Sequence, residues 1–315
     1  MSAWIGFTVL AALMQAVRTA GQKQLTSSVS PMSSTLIRYV FGLPFAVLYL
    51  LYVTQVHVGT GIEAGSTEQS ATIGTATVIS GAGVAENSRF VVYASLAAVA
   101  QILATFLLIK VFSFRNFTVG TSFAKTEAVQ AALFGTLLFS TTLSFTGWLA
   151  VAIGFLGIFI VSMPGSGQRW APQTILLGTL SGSCFALTSL WLREASLSLQ
   201  APVLQSAAVT LVFMVSIQSV LCVAYTAARE PEQFAAIATR LPLAGFVGLT
   251  SALGSVGWFT AMTYQNPAIV KSLGQIEFIF TLLLTTLFFK ESVTMRELLG
   301  VVAIVVSVIL IVSSY

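Results

Sequence analysis

The sequence has no aspartate and a single histidine, and these absences exclude several kinds of catalytic site. A Ser-His-Asp triad and a histidine-carboxylate metal cluster both need residues that the chain does not supply. The histidine, His57, lies in a polar stretch. The two cysteines, Cys184 and Cys222, lie inside apolar runs, where cysteine behaves as a small hydrophobic residue. We therefore expect no disulfide framework, no metal and no cofactor.

Charge is also scarce, which excludes a soluble domain. Only 8% of the 315 residues are charged and 56% are hydrophobic, with a mean hydropathy of +0.93. A soluble domain carries roughly 25% charged residues. The net charge of +4 has no basic cluster behind it, so nucleic acid is not expected as a partner. There is no GxxxxGK[ST] phosphate loop, and the chain alone is not expected to use ATP.

Long apolar runs recur along the whole chain and predict an all-α polytopic membrane protein. A helix needs about 20 mostly apolar residues to span a bilayer. The first run, Met1 to Val17, has no preceding positive charge, so we interpret it as a membrane helix rather than a cleavable signal. The ten predicted helices are 3–22, 33–54, 89–112, 116–139, 145–163, 171–192, 203–227, 241–263, 267–289 and 296–313.

The connections between these helices differ in length and in charge. Residues 55–88 are rich in Gly, Ser, Thr and Ala and are interpreted as a mobile loop. Even-numbered connections carry only Arg89 and Arg193. Odd-numbered connections carry Lys23, Lys110, Arg115, Arg169, Arg229, Arg240, Lys290 and Arg296. Because cytoplasmic loops are enriched in Lys and Arg, this bias places both termini outside the cytoplasm.

A shift of 150 residues aligns two stretches, 115–139 and 265–289, without a gap. It places Asn116 on Asn266 and Glu127 on Glu277, and both residue types are rare in lipid. The chain is therefore predicted to contain two five-helix repeats, at 1–163 and 171–315. Since five is odd, the second repeat must be inverted in the membrane. Inverted repeats are typical of secondary transporters, whose substrate sites lie at mid-membrane between the repeats.

Two segments carry a family resemblance. One is TLIRYVFGLPFAVL (35–48), with Arg38, and the other is LLTTLFFKESVTMRELLGVVAIVVSVIL (283–310), with Glu291 after the lysine. The chain resembles the drug/metabolite transporter superfamily in its ten-helix, EamA-type form, although the first-half hairpin lacks the glutamate. The resemblance implies a multi-pass transporter of a cell membrane, taken here as a bacterial inner membrane. It also implies cytoplasmic termini, in conflict with the charge bias.

Six ionisable residues lie inside the predicted helices: Arg18, Arg38, Lys125, Glu127, Lys271 and Glu277. A charge at mid-bilayer costs at least about 2.5 kcal/mol, so such residues usually face a cavity or a partner. In a functional interpretation, the two lysines hold an anionic group of a substrate, and the glutamates hold an amine or a proton. In a structural interpretation, Lys125 pairs with Glu277 and Lys271 with Glu127, which locks the halves together. Arg18 and Arg38 lie near helix ends and could equally snorkel.

Other polar residues complete the predicted substrate site. Because of their helices' place in the resembled family, the cavity candidates are Gln15, Gln101, Gln130, Gln275, Trp258 and Tyr264. Arg38, at the arginine position of the resembled second helix, is a further candidate. The alternatives are interhelical hydrogen bonds and, for the aromatic residues, an interface belt. Gly178 and Gly182, spaced as GxxxG, predict close helix packing.

The main functional hypothesis is a secondary transporter that moves a small polar metabolite, amino-acid-like or an organic anion, by alternating access. Family habit favours export. A buried carboxylate can carry a proton, so Glu127 or Glu277 could couple transport to protons, although nearby lysines favour the charged form. The alternatives are a flippase for a lipid-linked sugar or phosphate headgroup, a membrane-embedded enzyme, and a structural or receptor-like protein.

Overall fold

The computed structural model describes residues 3–63, 87–112, 123–161, 172–280, 282–283 and 294–314. These residues form helices, and no strand occurs among them. In chain order the helices are α1 (Ala3–Leu25), α2 (Pro31–Val40), α3 (Leu43–Glu63), α4 (Ser88–Phe112), α5 (Glu127–Phe139), α6 (Phe145–Val161), α7 (Pro172–Ser198), α8 (Val203–Arg229), α9 (Gln233–Ala238), α10 (Leu241–Tyr264), α11 (Pro267–Leu273) and α12 (Met295–Ser314). A 3₁₀ turn at Gly274–Ile276 follows α11, and the helical backbone resumes over 277–280.

Local signals in the sequence explain where two of these helices begin. Ser30 precedes α2 and Asn266 precedes α11, and each side chain accepts a hydrogen bond from a backbone N–H of the first turn. Proline follows at the first helical position in both, where its missing N–H costs nothing. Helix α11, which carries Lys271, is thereby fixed at its start.

Six helices of the described chain are long and apolar enough to cross a membrane. They are Ala3–Leu25, Pro31–Gln55, Ser88–Val111, Pro172–Ser198, Val203–Arg229 and Leu241–Tyr264. Shorter apolar helices add Glu127–Phe139, Phe145–Ile160 and Leu298–Ser314. The predicted all-helical, multi-pass membrane protein is therefore confirmed. The count of ten helices and the inverted repeat stay predictions.

The bounds of the second predicted helix and of the loop after it need correction. The predicted helix 33–54 is divided between α2 and α3, and α3 continues to Glu63. The predicted mobile loop 55–88 therefore overlaps α3 at one end and the first residue of α4 at the other. Its central part, 64–86, lies outside the described residues. The sequence after residue 54 is weakly polar, so hydropathy did not predict the last turns of α3.

The fourth and ninth predicted helices are interrupted just before their aligned glutamates. In the first, Lys125 and Thr126 form a turn, and α5 begins at Glu127. In the second, α11 ends at Leu273, and a 3₁₀ turn separates it from the helix that resumes at Glu277. Both carboxylates therefore lie in the first turn of a helix, where the helix dipole favours negative charge.

Helices from the two halves pack against one another. The most extensive packing joins α1 with α10, α4 with α7, and α6 with α12. Helix α8 packs on α2 and α3, and α11 packs on α5. Small residues allow the close approach: Gly182 of α7 lies against the backbone carbonyl of Ala124, at the interruption before α5. Charged side chains on α5 and α11 therefore lie at the centre, between the halves.

Candidate functional site

A cavity of about 60 Å³ lies between α1, α5, α7, α11 and the helix that begins at 277. This volume has room for a few water molecules or a small solute group. Its lining residues are Gln15, Arg18, Thr19, Leu108, Ala124, Lys125, Glu127, Phe185, Lys271 and Glu277. The structure thus brings together four of the charged residues that the sequence predicted, and adds Arg18.

Two ion pairs cross between the halves of the chain in reciprocal fashion. The Lys125 ammonium group donates to Glu277 Oε2. Lys271 Nζ lies 3.3 Å from Glu127 Oε2. Each half contributes one lysine and one glutamate. The partners are those of the structural interpretation, but both pairs also line the cavity, so the two interpretations describe one set of residues.

Gln15 and Trp258 connect one ion pair to the other. Gln15 Nε2 donates to Glu277 Oε2 at 2.6 Å, and Trp258 Nε1 donates to Gln15 Oε1 at 2.9 Å. The Lys271 ammonium group lies 4.3 Å from the centre of the Trp258 ring, within cation–π range. Side chains of α1 and α10 therefore link the two ion pairs.

Arg18 is a cavity residue for which the sequence left a snorkelling role equally open. It was placed near a helix end, but α1 continues to Leu25 and Arg18 is only 3% exposed. Arg18 lines the cavity, and its Nε has no hydrogen-bond partner. Within the described parts of the chain, no carboxylate forms an ion pair with it. Residues 19–25 read TAGQKQL, so hydropathy carried no signal that α1 continues to Leu25.

A second, smaller cavity of about 20 Å³ adjoins the first and shares Gln15 and Lys271 with it. Arg38, Gln101 and Trp258 also line it. Arg38 donates to Thr105 Oγ1 at 2.6 Å, and Gln101 Oε1 accepts from Gln218 at 2.7 Å. Arg38 is 5% exposed, so it does not snorkel to the interface. These residues extend the polar path from the central cavity towards α2 and α4.

Two predicted site residues lie elsewhere. Gln275 is buried on the side of the 3₁₀ turn that faces α6 and α12, where its amide lies against Gly154. Tyr264 is 43% exposed at the end of α10. Gln130, which the sequence also suggested, donates to Thr126 Oγ1 at 2.6 Å and braces the turn before α5.

No group of three or more potential metal ligands occurs in the described chain. The cavity holds charged groups, hydrogen-bond donors and an aromatic face. These groups suit the reversible binding of a small charged solute between the halves of a membrane protein.

Comparison with known protein families gives a match for the second half of the chain. Residues 172–313 match the EamA-like transporter family. The chain carries an EamA-like transporter domain. That family belongs to the drug/metabolite transporter superfamily, so the resemblance found in the sequence is confirmed. An EamA-like domain together with several apolar helices supports a multi-pass membrane protein, and the domain is of a kind found in transporters.

A solved structure extends the likeness to the whole fold. It is described only as "Crystal structure of protein", and it matches 98% of this chain and 96% of its own. The TM-score is 0.66 at 12% sequence identity, so the likeness concerns the fold alone. No curated protein matches the chain significantly. The EamA-like domain therefore supplies the family information, and the solved structure supplies the fold alone.

Proposed function

We propose that the EamA-like protein is a secondary transporter that moves a small polar metabolite, anionic or zwitterionic, by alternating access. The observation that carries the proposal is the pair of reciprocal ion pairs around a cavity between the halves. Buried ion pairs are poor sources of net stability, because desolvation offsets their attraction. Charged groups inside a membrane instead mark a substrate or ion path.

The packing of the helices supports an inverted repeat. If the second five helices repeat the first, α1 corresponds to α7 and α4 to α10. The contact of α1 with α10 then has its counterpart in the contact of α7 with α4. When the two halves are exchanged, the contact between α6 and α12 becomes the same contact again. The same holds for the contact between α5 and α11. All of these contacts are among those the structure contains. This pattern is what a two-fold relation between the halves requires, with the substrate site on the axis.

The ion pairs give the transporter a way to couple binding to movement. A solute anion competes with the glutamates for the lysines, and a solute amine competes with the lysines for the glutamates. Either exchange loosens a contact between the halves. Protons carried by Glu127 or Glu277 would act in the same way. Family habit makes export from the cytoplasm across a bacterial inner membrane the proposed direction.

The flippase alternative requires an arginine at a lateral opening near the lipid interface. Arg18 and Arg38 are instead 3% and 5% exposed, within the helical bundle. No observation in the described residues favours this alternative over a central solute site.

The proposal is tested by transport in proteoliposomes loaded with radiolabelled amino acids and organic acids. Proteoliposomes with the wild type should release at least one solute class faster than protein-free liposomes loaded in the same way. Lys271→Gln should lose that transport, because it breaks one ion pair and the contact with Trp258. Arg89→Gln is the matched control, since it removes a cation whose side chain is 65% exposed and paired with Glu194 at the surface. Equal rates in wild type and Lys271→Gln would reject the central site.

A further inference from the structure

Arg18 brings a positive charge to the cavity without an ion-pair partner of its own among the described side chains. It is 3% exposed, its Nε lacks a hydrogen-bond partner, and it forms no ion pair in the part of the chain that the structure describes. Lys125 and Lys271, on the same cavity, each have a glutamate partner. Arg18 is thus the cation of this cavity that forms no direct ion pair with a described side chain.

We infer that Arg18 binds the carboxylate of the transported solute, and that the site takes small monocarboxylates with one net negative charge. This inference rests on the proposed transport function and narrows its substrate class. An unpaired charge buried in a membrane protein is costly. A solute anion in the cavity would remove that cost. The planar guanidinium group also matches a carboxylate through two parallel hydrogen bonds, which a lysine cannot form.

The charges on the cavity wall determine the preferred net charge. The described lining carries three cations and two anions, which leaves one positive charge. The cations are Arg18, Lys125 and Lys271, and the anions are Glu127 and Glu277. A monoanion neutralises this excess. A zwitterion would leave it in place, and a dianion would reverse its sign.

The remaining lining determines the shape of the solute. Leu108, Ala124 and Phe185 present apolar groups to the same cavity, and Thr19 lies beside Arg18 on α1. The Thr19 hydroxyl already donates to the Gln15 carbonyl at 2.7 Å. The lining therefore fits a carboxylate with a short apolar body rather than a sugar or a second charged group.

The test compares four probes of similar size in thermal-shift titrations of the purified, full-length protein. They are lactate as monoanion, alanine as zwitterion, succinate as dianion and lactamide as neutral isostere. Lactate should stabilise the wild type at the lowest concentration. Arg18→Gln should bind lactate about 10- to 100-fold more weakly, since a hydrogen bond to a charged group is lost. Arg89→Gln should bind like the wild type.

The stability of the ligand-free variants separates a binding role from a structural one. Removal of an unmatched buried charge should leave the melting temperature of Arg18→Gln equal to or above that of the wild type. A lower melting temperature would assign Arg18 to the structure. Arg18→Lys keeps the charge but loses the paired donors, and should bind lactate roughly tenfold more weakly. Wild-type lactate affinity in either variant would overturn the inference.

The probes also separate this inference from the proposed function. If alanine or succinate binds better than lactate, and that solute is released from proteoliposomes, transport stands and the monocarboxylate assignment falls. If the protein binds none of the four probes and transports none of the amino acids and organic acids tested in proteoliposomes, both proposals fail. Lactate binding that depends on Arg18 supports both.

Discussion

At the scale of single residues, the central feature is that each lysine of the cavity pairs with a glutamate of the other half. Glu277 is the more connected carboxylate, since it accepts from both Lys125 and Gln15. Its side chain is 8% exposed, and that of Lys125 is 20% exposed. Loss of one partner would therefore leave the other charge in a poorly solvated position, which is the costly case for a buried pair.

This asymmetry predicts the outcome of a double-mutant cycle. Glu277→Gln should destabilise the protein by about 3 kcal/mol, because Lys125 loses its counter-charge. Lys125→Gln should also destabilise it. The double variant should recover much of the loss, since both charges are gone, yet it should not transport. Melting temperatures of the four proteins and release of solute from proteoliposomes provide the measurements. If the double variant is no more stable than Glu277→Gln, the two side chains do not stabilise the protein as a pair.

The surface pair is the control for this cycle. Arg89 lies 2.9 Å from Glu194, and the Arg89 side chain is 65% exposed. Removal of such a pair changes stability by about 0–1 kcal/mol. Arg89→Gln should therefore melt close to the wild type. A loss as large as that of Glu277→Gln would show that burial is not what sets the cost.

Single residues also show what the sequence could and could not reveal. Glu127 and Glu277 stand out in the sequence because carboxylates are rare in lipid and these two recur at the spacing of the predicted repeat. Both ion pairs were also among the alternative interpretations drawn from the sequence. The role of Arg18 was left open between the cavity and snorkelling, because that choice depends on where α1 ends. Hydropathy places such ends only to within a few residues.

At the scale of helices, the interruptions before Glu127 and Glu277 position the site. The turn at Lys125 and Thr126 lies against Gly182, where a larger residue would meet the carbonyl of Ala124. After α11, the 3₁₀ turn changes the direction of successive side chains. In an uninterrupted helix, Lys271 and Gln275 would share a face. With the turn, Lys271 faces the cavity while Gln275 faces α6 and α12. Periodicity alone could not predict this separation.

Gly274, in the 3₁₀ turn, is the position where this arrangement is most sensitive to substitution. A Cβ there would overlap the ring of Trp258, although the backbone is in an ordinary helical conformation. Gly274→Ala should displace the indole from Gln15 and Lys271, cost about 1–3 kcal/mol of stability, and abolish transport. Melting temperature and solute release are the readouts.

Gly245→Ala is the matched control for that substitution. Gly245 lies near the start of α10, and nothing lies within 4 Å of the position its Cβ would occupy. Alanine also favours helix over glycine by about 1 kcal/mol. This variant should melt at or above the wild-type temperature and transport normally. If Gly274→Ala behaves in the same way, the fit between the turn and Trp258 is not needed for function.

At the scale of the whole molecule, the fold class followed from composition. Scarce charge and repeated apolar runs left only a helical membrane protein, and the EamA-like domain confirms the family resemblance. The sequence could not show the packing of α1 on α10 or of α4 on α7, because apolar faces in lipid carry no periodic polar signal. Nor could it determine orientation, since charge bias and family habit point in opposite directions.

Alternating access is the central claim, and labelling of a cavity residue from each side of the membrane tests it most directly. Thr19 is half-buried on the cavity wall, and a cysteine there is a small change. In a background with Cys184 and Cys222 replaced by serine, the Thr19→Cys protein should react with a membrane-impermeant thiol reagent in both right-side-out and inside-out vesicles. Bound solute should slow both reactions. Labelling from one side only, unchanged by any solute, would contradict alternating access and describe a fixed pocket.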